Sequence, residues 1–170
     1  MGWTGDAHAF APTANYLYDT AGFWRGWHKD IWSEQQRNGT MVPPFTIPVV
    51  PSSDGAIPAA VWGDVVVANP YNNYRTFGDL AMLAEQYDSA RAWIDIGIAR
   101  NEVGLWNRSS FQFGDWLDPL SPPEAPGNAS TSRYLVADSY LIRMTQLLAE
   151  ISETLDKTDL ANKYREQHER

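Results

Sequence analysis

The sequence contains no cysteine, so it can form neither disulfide bridges nor thiolate metal sites. It also lacks any apolar run near the roughly 18 residues that a membrane-spanning helix requires. Basic clusters are absent from a chain of net charge −8, with 21 acidic and 13 basic residues. Because binding to nucleic acid or to an anionic membrane depends on clustered lysine and arginine, we expect neither partner.

Histidine is also scarce. The three histidines, His8, His28 and His168, do not show a spacing typical of metal ligands. We therefore expect no metal site, and no pattern in the sequence indicates a cofactor.

Aromatic residues, by contrast, are abundant: eight Trp, eight Tyr and six Phe in 170 residues. Two interpretations are open. The rings can form a large aromatic core, which composition alone favours, or they can line a sugar site, where the flat apolar faces of pyranose rings stack on indoles. The positions of the tryptophans help to choose between the two interpretations.

Hydrophobic periodicity predicts an all-α chain of helical hairpins joined by long loops. Residues 23–31 carry an apolar stripe at three- and four-residue spacing. Thr4 or Asp6 is expected to cap the first helix, and Pro12 to kink it. The predicted helices cover, approximately, residues 6–18, 20–37, 59–69, 79–87, 89–101, 131–155 and 159–170.

Proline and glycine indicate where the helices stop. Residues 40–58 hold five prolines and form a first long loop, and residues 102–130 form a second. Asn38-Gly39 is expected to end the second helix, and Pro70 to lie near the end of the third. Residues 111–113 are a candidate short strand. No internal domain boundary is evident, so the chain is treated as one domain.

Several short motifs recur in a fixed order along the chain. Residues 2–6 read Gly-Trp-Thr-Gly-Asp and residues 62–64 read Trp-Gly-Asp. Residues 77–79 read Phe-Gly-Asp, and residues 113–117 read Phe-Gly-Asp-Trp-Leu. Together these motifs resemble those of the α-L-rhamnosidases, a family of inverting glycoside hydrolases. The departures are small: His8 replaces a more usual polar amide, and residues 69–71 replace a more usual Pro-Trp.

The resemblance implies a fold and an incomplete set of catalytic groups. The family domain is an (α/α)6 barrel of twelve helices, so residues 1–170 are expected to form about half of one, truncated at both ends. The family motif reads Glu-Arg-x-Gly-Trp-Thr-Gly-Asp, and its Glu is the general acid. Met1 takes the x position, which places the general acid before Met1. The family's general base falls after Arg170.

Asp6 is the candidate catalytic residue of this chain. A glycosidase needs one carboxyl group to stay protonated, and a neighbouring carboxylate raises the pKa of that acid. The resemblance gives Asp6 this supporting role, seven residues after the family's general acid. The alternative is a plain helix cap.

The substrate-binding candidates also follow from the motifs. Trp3, Trp62 and Trp116 resemble the tryptophans that wall the rhamnose site, where an apolar wall suits the methyl group of a deoxy sugar. Asp64 and Asp115 neighbour two of them, and either can contact sugar or merely tie a loop. The remaining tryptophans are assigned to core or loop packing; they are Trp24, Trp27, Trp32, Trp93 and Trp106.

The expected function is that of a piece of an inverting α-L-rhamnosidase that acts on terminal α-L-rhamnosides. Lacking both principal carboxylates, the piece alone is expected to be inactive and to self-associate through its exposed half-barrel face. The alternative is a non-catalytic carbohydrate-binding or interaction module on the same scaffold. Three Asn-x-Ser/Thr sequons, at Asn38, Asn107 and Asn128, favour an extracellular location.

Overall fold

Helices account for most of the chain in a computed structural model that describes residues 2–37, 39–50 and 57–169. Met1 and Asn38, to which the sequence assigned a motif position, a helix end and a sequon, lie outside this part. The described elements are β1 (Gly2–Trp3), α1 (Thr4–Leu17), α2 (Ala21–Arg37), β2 (Thr46–Ile47), α3 (Val65–Phe77), α4 (Leu80–Glu85), α5 (Tyr87–Ala92), a π-helical turn (Trp93–Gly97), α6 (Arg133–Thr154) and α7 (Thr158–His168).

The all-α prediction is confirmed, because the two strands of the described chain are only two residues long. They pair antiparallel, with Gly2 opposite Ile47 and Trp3 opposite Thr46. Residues 111–113, the candidate strand, lie in an irregular loop instead. No described helix is both long enough and apolar enough to cross a membrane.

Helix α1 begins at Thr4, two residues earlier than predicted, and continues through Pro12 to Leu17. The expected cap is not formed, since Trp3 stands at the cap position without a side-chain hydrogen bond. The Thr4 hydroxyl instead donates to the carbonyls of Pro44 and Phe45, at 3.1 and 3.2 Å. The start of α1 is therefore fixed to the first long loop.

Helix α3 lies at the centre of the fold, in contact with α1, α2, α4, α5 and α6. Residues 65–70 are all buried, and Val65, Val66 and Val67 are fully enclosed. The sequence placed this helix at 59–69 with Pro70 near its end, which is wrong. Burial on every side outweighs the loss of one backbone hydrogen bond at Pro70, and the helix runs on to Phe77.

The buried residues of α5, α6 and α7 pack in the same core as those of α3. Helix α5 passes into the π-helical turn at Trp93, so the predicted helix over 89–101 ends early. Helices α6 and α7 pack against each other as a hairpin, and Leu148 and Tyr164 are among their core residues. Trp24, Trp93 and Trp106 are buried, as assigned, whereas Trp27 and Trp32 are half-buried.

His28 is a buried polar residue on α2 with an unusual environment. Its ring is fully enclosed and lies edge-on to Trp27, 5.5 Å between centroids. Neither ring nitrogen has a hydrogen-bond partner among the described residues. Burial lowers the pKa of His28 from 6.5 to about 3, so the ring is neutral in the folded chain at neutral pH.

This depressed pKa makes a testable contribution to stability. Because the folded pKa lies below the unfolded value, the unfolded chain takes up a proton first as the pH falls below 6.5. We expect His28 to reduce the free energy of unfolding by about 2 kcal/mol between pH 7 and pH 5. Urea unfolding at both pH values measures this, and His28→Phe should remove it.

His168→Phe, near the end of α7, is the matched control and should keep the wild-type pH dependence. Equal pH dependence of wild type and His28→Phe would contradict a buried, neutral His28.

Candidate active site

The residues where β1 passes into α1 present two side chains to solvent and enclose two others. Thr4 and Gly5 are buried, while Trp3 is 42% exposed and Asp6 is exposed. The Thr4 amide donates to the Phe45 carbonyl at 2.9 Å, in addition to the hydroxyl contacts. These bonds hold the turn so that Trp3 and Asp6 face outwards together.

The Trp62 indole packs directly against Gly5. A Cβ atom at residue 5 would lie 2.5 Å from Cε2 of the Trp62 indole, closer than real contacts allow. Only glycine therefore lets the indole approach α1 at this point. The outer face of Trp62 stacks on Phe113, with ring centroids 3.9 Å apart and planes inclined by 28°.

Phe113 connects Trp62 to Trp116. The Trp116 ring stands edge-on to Phe113 at 5.2 Å and is 43% exposed. Its other side lies near Gly127, where a Cβ atom would come within 3.5 Å. Phe45 and Phe111 also pack edge-on to Phe113. We call this set the aromatic cluster: Phe45, Trp62, Phe111, Phe113 and Trp116.

Trp3 and Asp6 line a separate hollow between α1 and α2, with a volume of ≈ 580 Å³. We call it the α1 groove. Its aromatic walls are Trp3, Phe10, Phe23, Trp24 and Trp27. Of the five, Phe10 and Phe23 are 54% and 62% exposed.

The catalytic candidate Asp6 and the three tryptophan candidates for the sugar site thus lie in two adjoining groups. Trp3 and Asp6 face the α1 groove, whereas Trp62 and Trp116 belong to the aromatic cluster. The two groups meet at Gly5, which lies between Trp3 and Asp6 in sequence and carries Trp62 on its buried side.

Asp64 is placed away from solvent, in the loop-tying role that its position in the sequence left open. Its carboxylate is fully buried and accepts hydrogen bonds from the Val61 amide at 2.6 Å and from Nε1 of Trp93 at 2.9 Å. Burial raises the pKa of Asp64, while the nearby His8 and the two donors oppose that rise. Gly63 is required beside it, because a Cβ there would lie 2.4 Å from Cζ2 of Trp93.

Asp115 is exposed next to Trp116, and the nearby Asp118 organises the loop. Asp118 accepts from the Leu120 amide, and from the amide and hydroxyl of Ser130, at 2.8–2.9 Å. These bonds hold the pKa of Asp118 below its usual value. Sequence reasoning passed over this residue, although an Asp before a proline is a turn signal.

His8 is a second residue that sequence reasoning missed, since it was noted only as a departure from the family pattern. Its Nδ1 lies 2.8 Å from the Val61 carbonyl, and its ring is edge-on to Tyr140 at 5.7 Å. His8 and Asp64 therefore hold the same residue from opposite sides. No cluster of three or more His, Asp or Glu residues suited to a metal ion occurs in the described ranges.

Comparison with known proteins decides the family. A model of the bacterial α-L-rhamnosidase six-hairpin glycosidase domain matches residues 1–170. The chain belongs to this α-L-rhamnosidase domain family. An α-L-rhamnosidase of Formosa agariphila is 32% identical over 159 residues, which covers 94% of this chain and 16% of that protein.

Solved structures agree with the family assignment. The native α-L-rhamnosidase of Aspergillus terreus is 50% identical with a TM-score of 0.95, over 99% of this chain and 19% of that one. The Streptomyces avermitilis α-L-rhamnosidase, solved in complex with L-rhamnose, is 28% identical with a TM-score of 0.76, over 99% and 16%. The predicted fold class, part of an (α/α)6 barrel, is confirmed, and the chain spans less than one fifth of these relatives.

The contact between Gly5 and Trp62 gives a direct test of the site geometry. Gly5→Ala places a methyl group inside the indole, so Trp62 must move and the stack with Phe113 must open. We expect a loss of about 1–3 kcal/mol in the free energy of unfolding, as for other overpacked sites. Near-UV circular dichroism should change as well.

Gly26→Ala on α2 is the matched control, because a Cβ there meets nothing within 4 Å. This variant should be at least as stable as the wild type. A Gly5→Ala chain with wild-type stability and spectrum would show that Trp62 does not rest on Gly5.

Proposed function

We propose that this chain forms one part of the catalytic domain of an inverting α-L-rhamnosidase that hydrolyses terminal α-L-rhamnosides. The observation that carries the proposal is the first turn of α1, where Asp6 and the exposed Trp3 face one groove and Gly5 seats Trp62 behind them. The relative from Streptomyces avermitilis, solved with L-rhamnose, supports this choice of sugar.

In the proposed reaction, three carboxyl groups have different roles. An inverting glycosidase places a general acid and a general base about 6.5–9.5 Å apart, on opposite sides of the scissile bond. The family motif places the general acid before Met1, and the family resemblance places the general base after Arg170. Asp6 contributes a third carboxylate, whose negative charge keeps the general acid protonated until it donates to the leaving group.

The exposed indoles supply the apolar walls. Trp3 and Trp116 are each more than 40% exposed, so both can offer a ring face to a sugar. A deoxy sugar suits such walls, because its methyl group gains from leaving water. Asp115, exposed beside Trp116, offers hydrogen-bond acceptors to the sugar hydroxyls.

A second candidate function uses the same residues without catalysis. Two exposed tryptophans and two exposed carboxylates on adjoining surfaces are also what a carbohydrate-binding module needs. The two candidates differ in whether Asp6 affects a rate or only a binding constant.

We expect the isolated 170-residue chain to release no product from aryl α-L-rhamnosides. Acid and base catalysis each contribute about 10²–10⁴-fold in rate, and the family resemblance places both groups outside this chain. The test continues in a chimera, with residues 2–169 in place of the matching segment of the Aspergillus terreus enzyme. There, Asp6→Asn should lower kcat by about 10²-fold or more.

Asp30→Asn, exposed on α2, is the control and should leave kcat of the chimera unchanged. Turnover by the isolated chain would contradict the division of carboxylates proposed above. A chimera in which Asp6→Asn weakens L-rhamnose binding but not kcat would favour the binding module.

The α1 groove also predicts self-association of the isolated chain. Phe10 and Phe23, which line the groove, are each more than half exposed, and exposed apolar surface of this kind favours association. Sedimentation should show a dimer or larger species at high concentration. Phe23→Glu should shift the chain towards monomer.

Leu120→Glu, at an exposed position in the second long loop, is the control and should not alter the sedimentation profile. A wild-type chain that stays monomeric at every concentration would rule out association through the groove.

A further inference from the structure

Val61 has a backbone conformation that its side chain disfavours. Its φ angle is +70°, in the left-handed region that is unusual for any residue but glycine and a genuine outlier for a β-branched one. Such a conformation is energetically unfavourable and persists only where the surroundings impose it. Val61 directly precedes Trp62, so its conformation sets the direction in which the indole leaves the backbone.

Two side chains impose this conformation by holding both peptide groups of Val61. Asp64 accepts the Val61 amide at 2.6 Å, and His8 donates from Nδ1 to the Val61 carbonyl at 2.8 Å. Each holder is itself fixed. The second oxygen of Asp64 accepts from Trp93, and the His8 ring packs edge-on to Tyr140.

The His8 contact also spans the two parts of the proposed site. His8 lies two residues after Asp6 on α1, and Val61 lies one residue before Trp62 in the loop. One hydrogen bond therefore joins the helix that carries the carboxylate to the turn that carries the indole. The contact of the Trp62 indole with Gly5 joins the same helix and the same turn at a second point.

We propose that His8 and Asp64 are positioning residues that hold Val61 in its left-handed conformation and thereby fix the Trp62 indole against Gly5, the residue before Asp6. Neither residue contacts sugar in this role. The inference about sugar binding rests on the function proposed above, whereas the inference about the Trp62 orientation does not. Asp64 is the less informative residue to change, because it also bonds Trp93.

The experiment follows the indole N–H signals of the intact 170-residue chain by ¹H–¹⁵N NMR, with Trp62 assigned through Trp62→Phe. His8→Phe keeps a ring against Tyr140 but removes the donor to Val61. We expect the Trp62 signal to shift more than any other indole signal. His8→Gln, which retains a side-chain donor, should stay closer to the wild type, and His168→Phe should leave Trp62 unmoved.

A rescue variant distinguishes positioning from general destabilisation. Glycine at position 61 adopts a φ of +70° without the steric penalty, so Val61→Gly depends less on the hydrogen bonds from His8 and Asp64. In the His8→Phe, Val61→Gly chain the Trp62 signal should return towards its wild-type position. If His8→Phe alone unfolds the chain, recovery of native indole signals in the double variant supports the proposal, and no recovery overturns it.

Titration with L-rhamnose separates this proposal from the proposed function. We expect His8→Phe to raise the dissociation constant about two- to tenfold, as the loss of one net hydrogen bond would. If L-rhamnose leaves the indole signals of the wild-type chain unchanged, the isolated chain does not bind the sugar. The positioning role is then tested only by the shift of the Trp62 signal that His8→Phe causes. An unmoved Trp62 signal in His8→Phe overturns it.

Discussion

The buried carboxylate of Asp64 is the contact on which the other features of this site depend. A charge enclosed by protein is costly unless donors surround it, and here the Val61 amide and the Trp93 indole supply them. Asp64 immediately precedes α3, the helix against which α1, α2, α4, α5 and α6 pack. The same carboxylate thus joins the central helix to the loop that carries Trp62, so the core and the candidate site share one anchor.

Tryptophan resting on glycine is the second recurring constraint. Trp62 covers Gly5, and Trp93 covers both Gly63 and Gly97. In each case the missing Cβ is what allows an indole to reach the backbone, and in each case the indole lies at a junction between elements. In the first two motifs the glycine therefore makes room for an indole from elsewhere in the chain, whereas Gly78 and Gly114 of the other two motifs have positive φ angles and no indole of the described chain over them.

The sequence predicted the fold class and most helix positions, because hydrophobic spacing over ten or more residues reports directly on a buried face. It failed at α3, where the rules for proline describe an isolated helix and not one buried on all sides. It identified Trp24, Trp93 and Trp106 as core but could not separate Asp64 from Asp115. Both follow the same kind of motif, and only the partner of Asp64, 29 residues away, distinguishes a buried carboxylate from an exposed one. The role of His8 was beyond reach for the same reason, since it depends on a carbonyl 53 residues away.

The packing of Trp62 against Gly5 has a consequence for which substitutions this domain accepts at the two positions. A larger residue at position 5 displaces the Trp62 indole unless the side chain at position 62 is smaller, because the two occupy the same space. Shrinking residue 62 first removes an aromatic partner from Phe113 but leaves the backbone intact. Substitution at the two positions is therefore coupled, because a smaller side chain at position 62 lowers the cost of a larger one at position 5.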